Sequence, residues 1–340
     1  MPYVRKDPSR EPIPGALDCH DCYTRFRLEN PGPDAHTGNN RSTPADVCTR
    51  ISCAAGSAGV PPALLSWSGR PKRRMKRLTD IAYWEENWWK AKGPERLRLY
   101  RDVDFEAVRL LGRHLRRDAS GADRFRVLEI GAAGSRVLPY LGRKLGCEVF
   151  GTDFSGSGCR LLRANLALQG MTGSVVCEDL SLSSLPAETF DLVYSSGLVE
   201  HFDDTRAVIA EHLRLVKPGG RLVIIVPNFQ GIQGRIWKRL ARPLWDRHVV
   251  FGPDDLAGFF ASFGLAQIRS GYLGSFFIQV GRDPQWPVVK AWPGWLQIAV
   301  HALVRLANGL ISLAFRLSPW RPHSRALSPA FFAEGTRPAV

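Results

Sequence analysis

Nowhere does the chain offer a run of about 18 uncharged apolar residues, the length that a spanning helix requires, so no transmembrane segment is expected. The first 20 residues hold no continuous apolar segment either, and no cleaved signal peptide is expected. Regular cysteine spacing is also missing. Seven cysteines are scattered, and Cys147, Cys159 and Cys177 fall in what reads as an α/β core, which fits reduced thiols better than a disulfide framework. Cys19-His-Asp-Cys22 with Cys48 and Cys53 has the residue types of a zinc site but no hydrophobic framework around it, so no metal is expected. The dinucleotide loop G-x-G-x-x-G is absent: the corresponding run is Gly131-Ala-Ala-Gly134-Ser-Arg136. Acidic residues are in short supply, 32 against 46 basic ones, for a net charge of +14. The deficit is local. Residues 78–227 balance at 20 of each sign, whereas residues 1–77 carry a net +6 and residues 228–340 a net +8. A basic periphery around a neutral core suits nucleic acid, an anionic membrane surface or an acidic substrate, or simply an arginine-rich composition.

What is present centres on Val127 to Asp153. VLEIG is a short apolar strand of the kind buried in a parallel sheet, AAGSR a small-residue turn, VLPYLGRKL a helix, and CEVFGTDF a second buried strand ending on an acid. This is a βαβ unit, which holds a nucleoside at the carboxyl ends of its strands. Gly131, Ala132, Ala133 and Gly134 leave room for a ligand to approach the backbone. Asp153 then sits at the tip of the neighbouring strand, able to accept both hydroxyls of a ribose.

The loop, counted from Glu129, resembles the E/D-x-G-x-G-x-G motif of class I S-adenosylmethionine (SAM) methyltransferases, with Ala133 and Ser135 in place of two glycines. Later segments continue the resemblance. Gly173 to Cys177 reads as a third strand running into Glu178-Asp179-Leu180, and Phe190-Asp-Leu-Val-Tyr-Ser-Ser-Gly-Leu-Val-Glu-His-Phe202 is similar to the fourth strand and active-site loop of the ubiquinone-biosynthesis-like group. A helix, Lys217-Pro-Gly-Gly220 and the apolar strand Arg221 to Pro227 follow, as is frequent in that family. Ile81 to Lys90, aromatic and amphipathic, is similar to the Tyr-Trp-Glu helix that lies over the cofactor in many members. The resemblance implies a doubly wound, mostly parallel, seven-stranded Rossmann-like α/β sheet with an antiparallel last strand and helical insertions. It implies SAM as cofactor, held by Glu129, Gly131, Ala132, Ala133, Gly134, Asp153, Phe154, Asp179, Leu180, Ser196 and Gly197. In it Asp179 accepts from the adenine amine and the Leu180 amide donates to a ring nitrogen. Tyr83, Trp84 and His201 would line the substrate pocket, with His201 the candidate general base because an imidazole pKa is near neutral.

The organisation expected is a disordered or non-native leader over 1–76, a SAM-binding core with its cap helix over 77–273, a helical amphipathic insertion over 274–326, and a last strand and tail over 327–340. Between Trp295 and Leu317 the polar residues His301, Arg305, Asn308, Ser312 and Arg316 form one narrow stripe on an otherwise apolar helix. That helix either lies in a membrane interface or packs on its own domain and builds a substrate pocket. The reaction expected is methyl transfer to an O or N atom of a small-molecule, lipid-linked or glycan acceptor. Nucleic acid ranks below these, because Ser195-Ser-Gly-Leu198 lacks the N/D-P-P-Y/F that base-modifying enzymes use to hold a flipped base. A degenerate methyltransferase fold acting as a scaffold or partner-binding protein is the second reading, which Ala133 and Ser135 allow. A cytoplasmic location follows, with peripheral contact at the inner membrane face as the variant the apolar helix permits.

Overall fold

The computed structural model describes residues 74–86, 93–97, 102–115, 124–281, 285–318 and 322–339. The cysteines Cys19, Cys22, Cys48 and Cys53, the end of the cap helix from residue 87 to 90, and Trp320 lie outside the described residues.

Seven strands form one sheet: β1 (Arg126–Ile130), β2 (Glu148–Asp153), β3 (Ser174–Cys177), β4 (Phe190–Ser196), β5 (Val216–Pro227), β6 (Ala266–Leu273) and β7 (Ala330–Thr336). Their order is β3-β2-β1-β4-β5-β7-β6. The first five are mutually parallel, and β7 runs antiparallel to both β5 and β6. Strand order reverses between β1 and β4, the position at which open α/β sheets bind ligands. Helices cover the sheet in chain order: α1 (Ile81–Trp84), α2 (Asp102–Gly112), α3 (Val137–Leu145), α4 (Gly156–Leu168), α5 (Thr205–Leu215), α6 (Ile232–Leu240), α7 (Arg242–Trp245), α8 (Pro253–Ser262), α9 (Pro287–Lys290) and α10 (Gly294–Leu317).

The apolar strand sequences explain the core. Val127, Leu128 and Ile130 of β1, Leu192 to Tyr194 of β4 and Leu222 to Val226 of β5 are buried, as central parallel strands covered on both faces should be. One element departs from its expected bounds. Lys217-Pro-Gly-Gly220, read as a turn, lies inside β5, where pairing with β4 jumps from Phe190↔Val216 to Leu192↔Arg221. Gly219 takes a positive φ of 76° there, so the segment bulges out of the ladder instead of ending it.

α10 turns part of its polar stripe toward the domain. Asn308 reads the backbone of Ile278 in both directions, accepting from its amide at 3.0 Å and donating to its carbonyl at 2.6 Å, and Ser312 is buried. Asn308 and Ser312 of the polar stripe therefore face the domain, while Arg305 is exposed. The opposite face, with Trp295 71%, Ile298 60%, Leu306 60%, Leu310 59% and Leu317 79% exposed, is turned outward. Over Gly294–Phe315 this helix has a mean hydropathy of 1.7 and is long and apolar enough to cross a membrane by length and composition, even with Arg305 inside it.

Candidate active site

The site grows from the turn after β1. Gly131 and Ala132 donate to the Thr152 carbonyl at 2.9 and 3.0 Å, tying the loop to β2. Gly131 has a φ of +72°, and a Cβ there would stand 3.0 Å from the Leu198 side chain. The loop's third residue meets α4 closely: a Cβ on Gly158 would lie 2.3 Å from that of Ala133, so only glycine fits the helix's first turn. Asn165, on the same helix, donates to the carbonyls of Gly134 at 3.1 Å and Ser135 at 2.9 Å, fixing the loop from below.

Asp153 caps this arrangement. Its Oδ2 accepts from the Ala133 amide at 3.1 Å and its Oδ1 from the Ser155 amide at 2.8 Å. Burial raises its pKa to about 6, against the opposing pull of those two amides and of Arg77. Glu129, fully enclosed, accepts from the Tyr194 hydroxyl at 2.6 Å, and burial raises it to about 7. Both acids line one cavity of about 450 Å³, together with Gly131, Ala133, Gly134, Phe154, Ser196 and Gly197. That volume suits a cofactor-sized ligand.

The cavity continues past Gly197 into a second, aromatic end lined by Tyr83, Trp84, Glu200, His201, Phe229, Trp237 and His248. Here Trp84 meets His201 edge-on at 5.0 Å, and the two imidazoles of His201 and His248 lie 4.4 Å apart. His201 Nδ1 contacts the Arg247 carbonyl at 3.2 Å. A carbonyl only accepts, so this contact selects the Nδ1–H tautomer and leaves Nε2 as a lone pair. Burial first, and His248 second, lower the His201 pKa to about 3. The imidazole is thus neutral across the physiological range.

A strap from Met75 to Glu86 runs along the cavity, which Arg77, Thr79, Tyr83 and Trp84 help to line. Leu78 donates to the His201 carbonyl at 2.8 Å, Asp203 to that of Lys76 at 3.3 Å, and Met75 to Ser181 Oγ at 3.0 Å. Glu85 holds the other end, accepting from Ser155 Oγ, the Ser157 amide and Ser157 Oγ at 3.0, 3.1 and 2.8 Å; the Ser157 bonds lower its pKa. A carboxylate at the first turn of α4 also meets the positive end of the helix dipole.

Of the expected site residues, the structure gathers Tyr83, Trp84, Glu129, Gly131, Ala133, Gly134, Asp153, Phe154, Ser196, Gly197 and His201 around one cavity. Ala132 is buried beneath the loop. Asp179 and Leu180 stand off the cavity wall. Asp179 caps the turn Leu180–Leu182, accepting from the Ser181 amide, and pairs with Arg77 at 2.8 Å. Burial, the largest single influence, raises its pKa, but the Arg77 hydrogen bond and charge together with the hydrogen bonds from Ser181 outweigh it and hold the carboxyl below its ordinary value. The Arg77 guanidinium lies over the rings of Phe154 at 4.1 Å and Phe202 at 4.7 Å and itself lines the cavity. Arg77, Asn165, Trp237 and His248 carried no readable signal, because each acts through a partner distant in sequence; Glu85 is the acid of the Tyr-Trp-Glu motif, but its reach to Ser155 and Ser157 was not readable there. Glu200 had a signal: it adjoins His201 in the motif.

Residues 128–224 match the methyltransferase domain family. A ubiquinone biosynthesis O-methyltransferase of Coxiella burnetii is 26% identical over 169 residues, 48% of this chain and 65% of that protein. One from Xanthomonas oryzae pv. oryzae is 31% identical over 162 residues, 45% of this chain and 62% of that protein. The alignments thus span less than two thirds of either relative. The crystal structure of a SAM-dependent methyltransferase from Thermotoga maritima covers 76% of this chain and 98% of its own, at 14% identity and a TM-score of 0.45. The domain match falls on the strands that build the cavity, and residues 128–224 are accordingly similar to a methyltransferase domain.

Proposed function

We propose that the protein transfers the methyl group of SAM to an oxygen or nitrogen of a small-molecule, lipid-linked or glycan acceptor. The observation that carries this reading is the continuity of the cavity, with Asp153 and the glycine loop at one end and Trp84, Glu200 and His201 at the other. The residues fit the cofactor. A carboxylate is ready for two hydroxyls, and the backbone at Gly131 is open where a Cβ would press on Leu198. SAM supplies an electrophilic methyl group on a neutral leaving thioether. The protein's work is then to align the acceptor and exclude water, worth about 7–11 kcal/mol when the geometry is fixed beforehand. The strap along the cavity, pinned at Ser181 and at Ser157, supports that role. Neutral His201 suits a hydrogen bond from the acceptor through Nε2, and the similarity to two ubiquinone biosynthesis O-methyltransferases favours oxygen as the atom methylated. Label from tritiated-methyl SAM should move to a lipid or glycan fraction. Tight SAM binding with no transfer to any fraction would favour the scaffold reading instead.

The acceptor end abuts α10, since Phe277 and Gln279 line the cavity while Ile278 between them is bound by Asn308. The outward apolar face and exposed Lys290, Arg235, Lys238 and Arg239 nearby support peripheral contact with an anionic membrane, from which a greasy acceptor could be drawn. Wild-type protein should float with vesicles of phosphatidylcholine and phosphatidylglycerol. Replacing Leu306, Leu310 and Leu313 by Ser should weaken that binding about a hundredfold, at roughly 1 kcal/mol or more for each leucine withdrawn from the bilayer. Equal flotation of both proteins would end the membrane reading.

A further inference from the structure

A hydroxyl that accepts a methyl group must lose its proton, and His201 is poorly placed to keep one. Its Nδ1–H is committed to Arg247, and a positive charge on it would be buried 4.4 Å from His248. Beside it stands a better group. Glu200 is fully buried, lines the cavity, and neither of its carboxyl oxygens has a hydrogen-bond partner. It sits in the one-turn helix Val199–His201, held by its own carbonyl, which accepts from the Val249 amide at 2.8 Å. Gly197, at the end of β4, comes close to it without filling the space: a Cβ there would lie 3.5 Å from Glu200 Oε1. A buried carboxyl with no partner costs stability unless a ligand supplies one. A second unpartnered polar atom, the buried Nε1 of Trp237, lines the same cavity. One acceptor and one donor, both unsatisfied, face the end of the cavity where the substrate would lie.

We propose that Glu200 receives the proton of a hydroxyl acceptor during methyl transfer; this rests on the methyltransferase reading above. As the acceptor's O–H bond breaks, its oxygen forms the new bond to the methyl carbon. The sulfur–methyl bond breaks with its electron pair left on sulfur, and the proton passes to a Glu200 oxygen. His201, with Nε2 3.9 Å from Glu200 Oε1, positions the hydroxyl. Burial raises the Glu200 pKa to about 8, a value matched to a weakly acidic hydroxyl. His201 is its titratable neighbour at 3.9 Å, and His248 and Arg77, the latter already paired with Asp179, line the same cavity. A sulfonium cation in the cavity would favour the ionised carboxylate.

Glu200→Gln tests this in the full chain, with catechol and 4-nitrocatechol as probe acceptors of different acidity. Turnover of catechol should fall about 10²- to 10⁴-fold, while 4-nitrocatechol, largely ionised already at neutral pH, should lose about tenfold or less, because it brings no proton that the base must remove. The wild-type rate on catechol should rise with pH to a plateau above about 8, and the variant should lack that limb. Infrared difference spectra should show a protonated carboxyl in the wild type that titrates in the same range and is missing from the variant. Equal losses on both probes, full retention of activity, absence of that carboxyl signal, or a wild type that binds SAM yet methylates neither probe would each overturn the proposal. Failure of the wild type to bind SAM in calorimetry would overturn both the proposal and the methyltransferase reading, and so separates the two.

Discussion

Replacing Asp153 by Ala is expected to weaken SAM binding by about 30- to 1,000-fold. The loss of two hydrogen bonds from ribose hydroxyls to a carboxylate corresponds to roughly 2–4 kcal/mol, at about 1.4 kcal/mol per decade of affinity. The carboxylate has a second task, which the measurement must keep apart. It holds the Ala133 and Ser155 amides, and Ala would leave both donors buried without a partner. Asp153→Asn is therefore the companion variant, since its carbonyl can still accept from one amide and, in part, from the ribose. Calorimetry should rank wild type above Asn and Asn above Ala, with thermal melting confirming that all three are folded. Binding by the wild type should also weaken as pH falls below about 6, where Asp153 takes up a proton and loses acceptor capacity. Equal affinity in wild type and Asp153→Ala, at any pH, would remove the ribose role.

The part of this site that was legible in the sequence is the part built by local rules. A strand, a small-residue turn and an acid at the next strand's end share one short segment, so Glu129, Gly131 and Asp153 could be placed together from spacing alone. The seven strands and the antiparallel last one were implied by the family resemblance and not by this local pattern. What escaped the sequence depends on contacts across long separations. Glu85 reaches Ser157 and Arg77 reaches Asp179 only because the strap folds back over the sheet. The Arg77 pairing explains why Asp179, sensibly read as an adenine partner from its position after β3, stands off the cavity. The polar stripe of α10 was legible, but the direction in which it points was left open. Asn308 and Ser312 can satisfy their hydrogen bonds against backbone as well as in water, so amphipathicity alone does not say which face is the inner one.

Stability of the cofactor-free protein should peak near pH 5–6, and Glu200→Gln should raise it at pH 8 by on the order of 4 kcal/mol. Two sets of buried groups oppose each other. His201, His212 and His248 are held neutral by burial, with pKa values lowered from 6.5 to about 3, 4 and 4. Their contribution is fully present above the unfolded value and is lost as pH falls through 4 toward 3, because only the unfolded chain can take up those protons freely. Glu129, Asp153 and Glu200 are raised to about 7, 6 and 8. Their contribution is present below the unfolded carboxyl values and is lost as pH rises through the folded ones. Between roughly pH 4.5 and 6 the two sets nearly cancel, at about 1.4 kcal/mol per proton per pH unit for each. Above 6.5 the histidines are neutral in both states and only the carboxyls act, so stability should decline toward pH 8, with Glu200 the last to ionise. Gln at 200 keeps the shape of the neutral carboxyl and removes that limb. His212→Leu, which fills the same space and deletes an imidazole whose Nε2 has no partner, should move the acid limb to lower pH. Denaturant unfolding of the three proteins from pH 3 to 9 checks both arms, and parallel curves for wild type and Glu200→Gln above pH 6.5 would show that Glu200 is already charged in the folded protein.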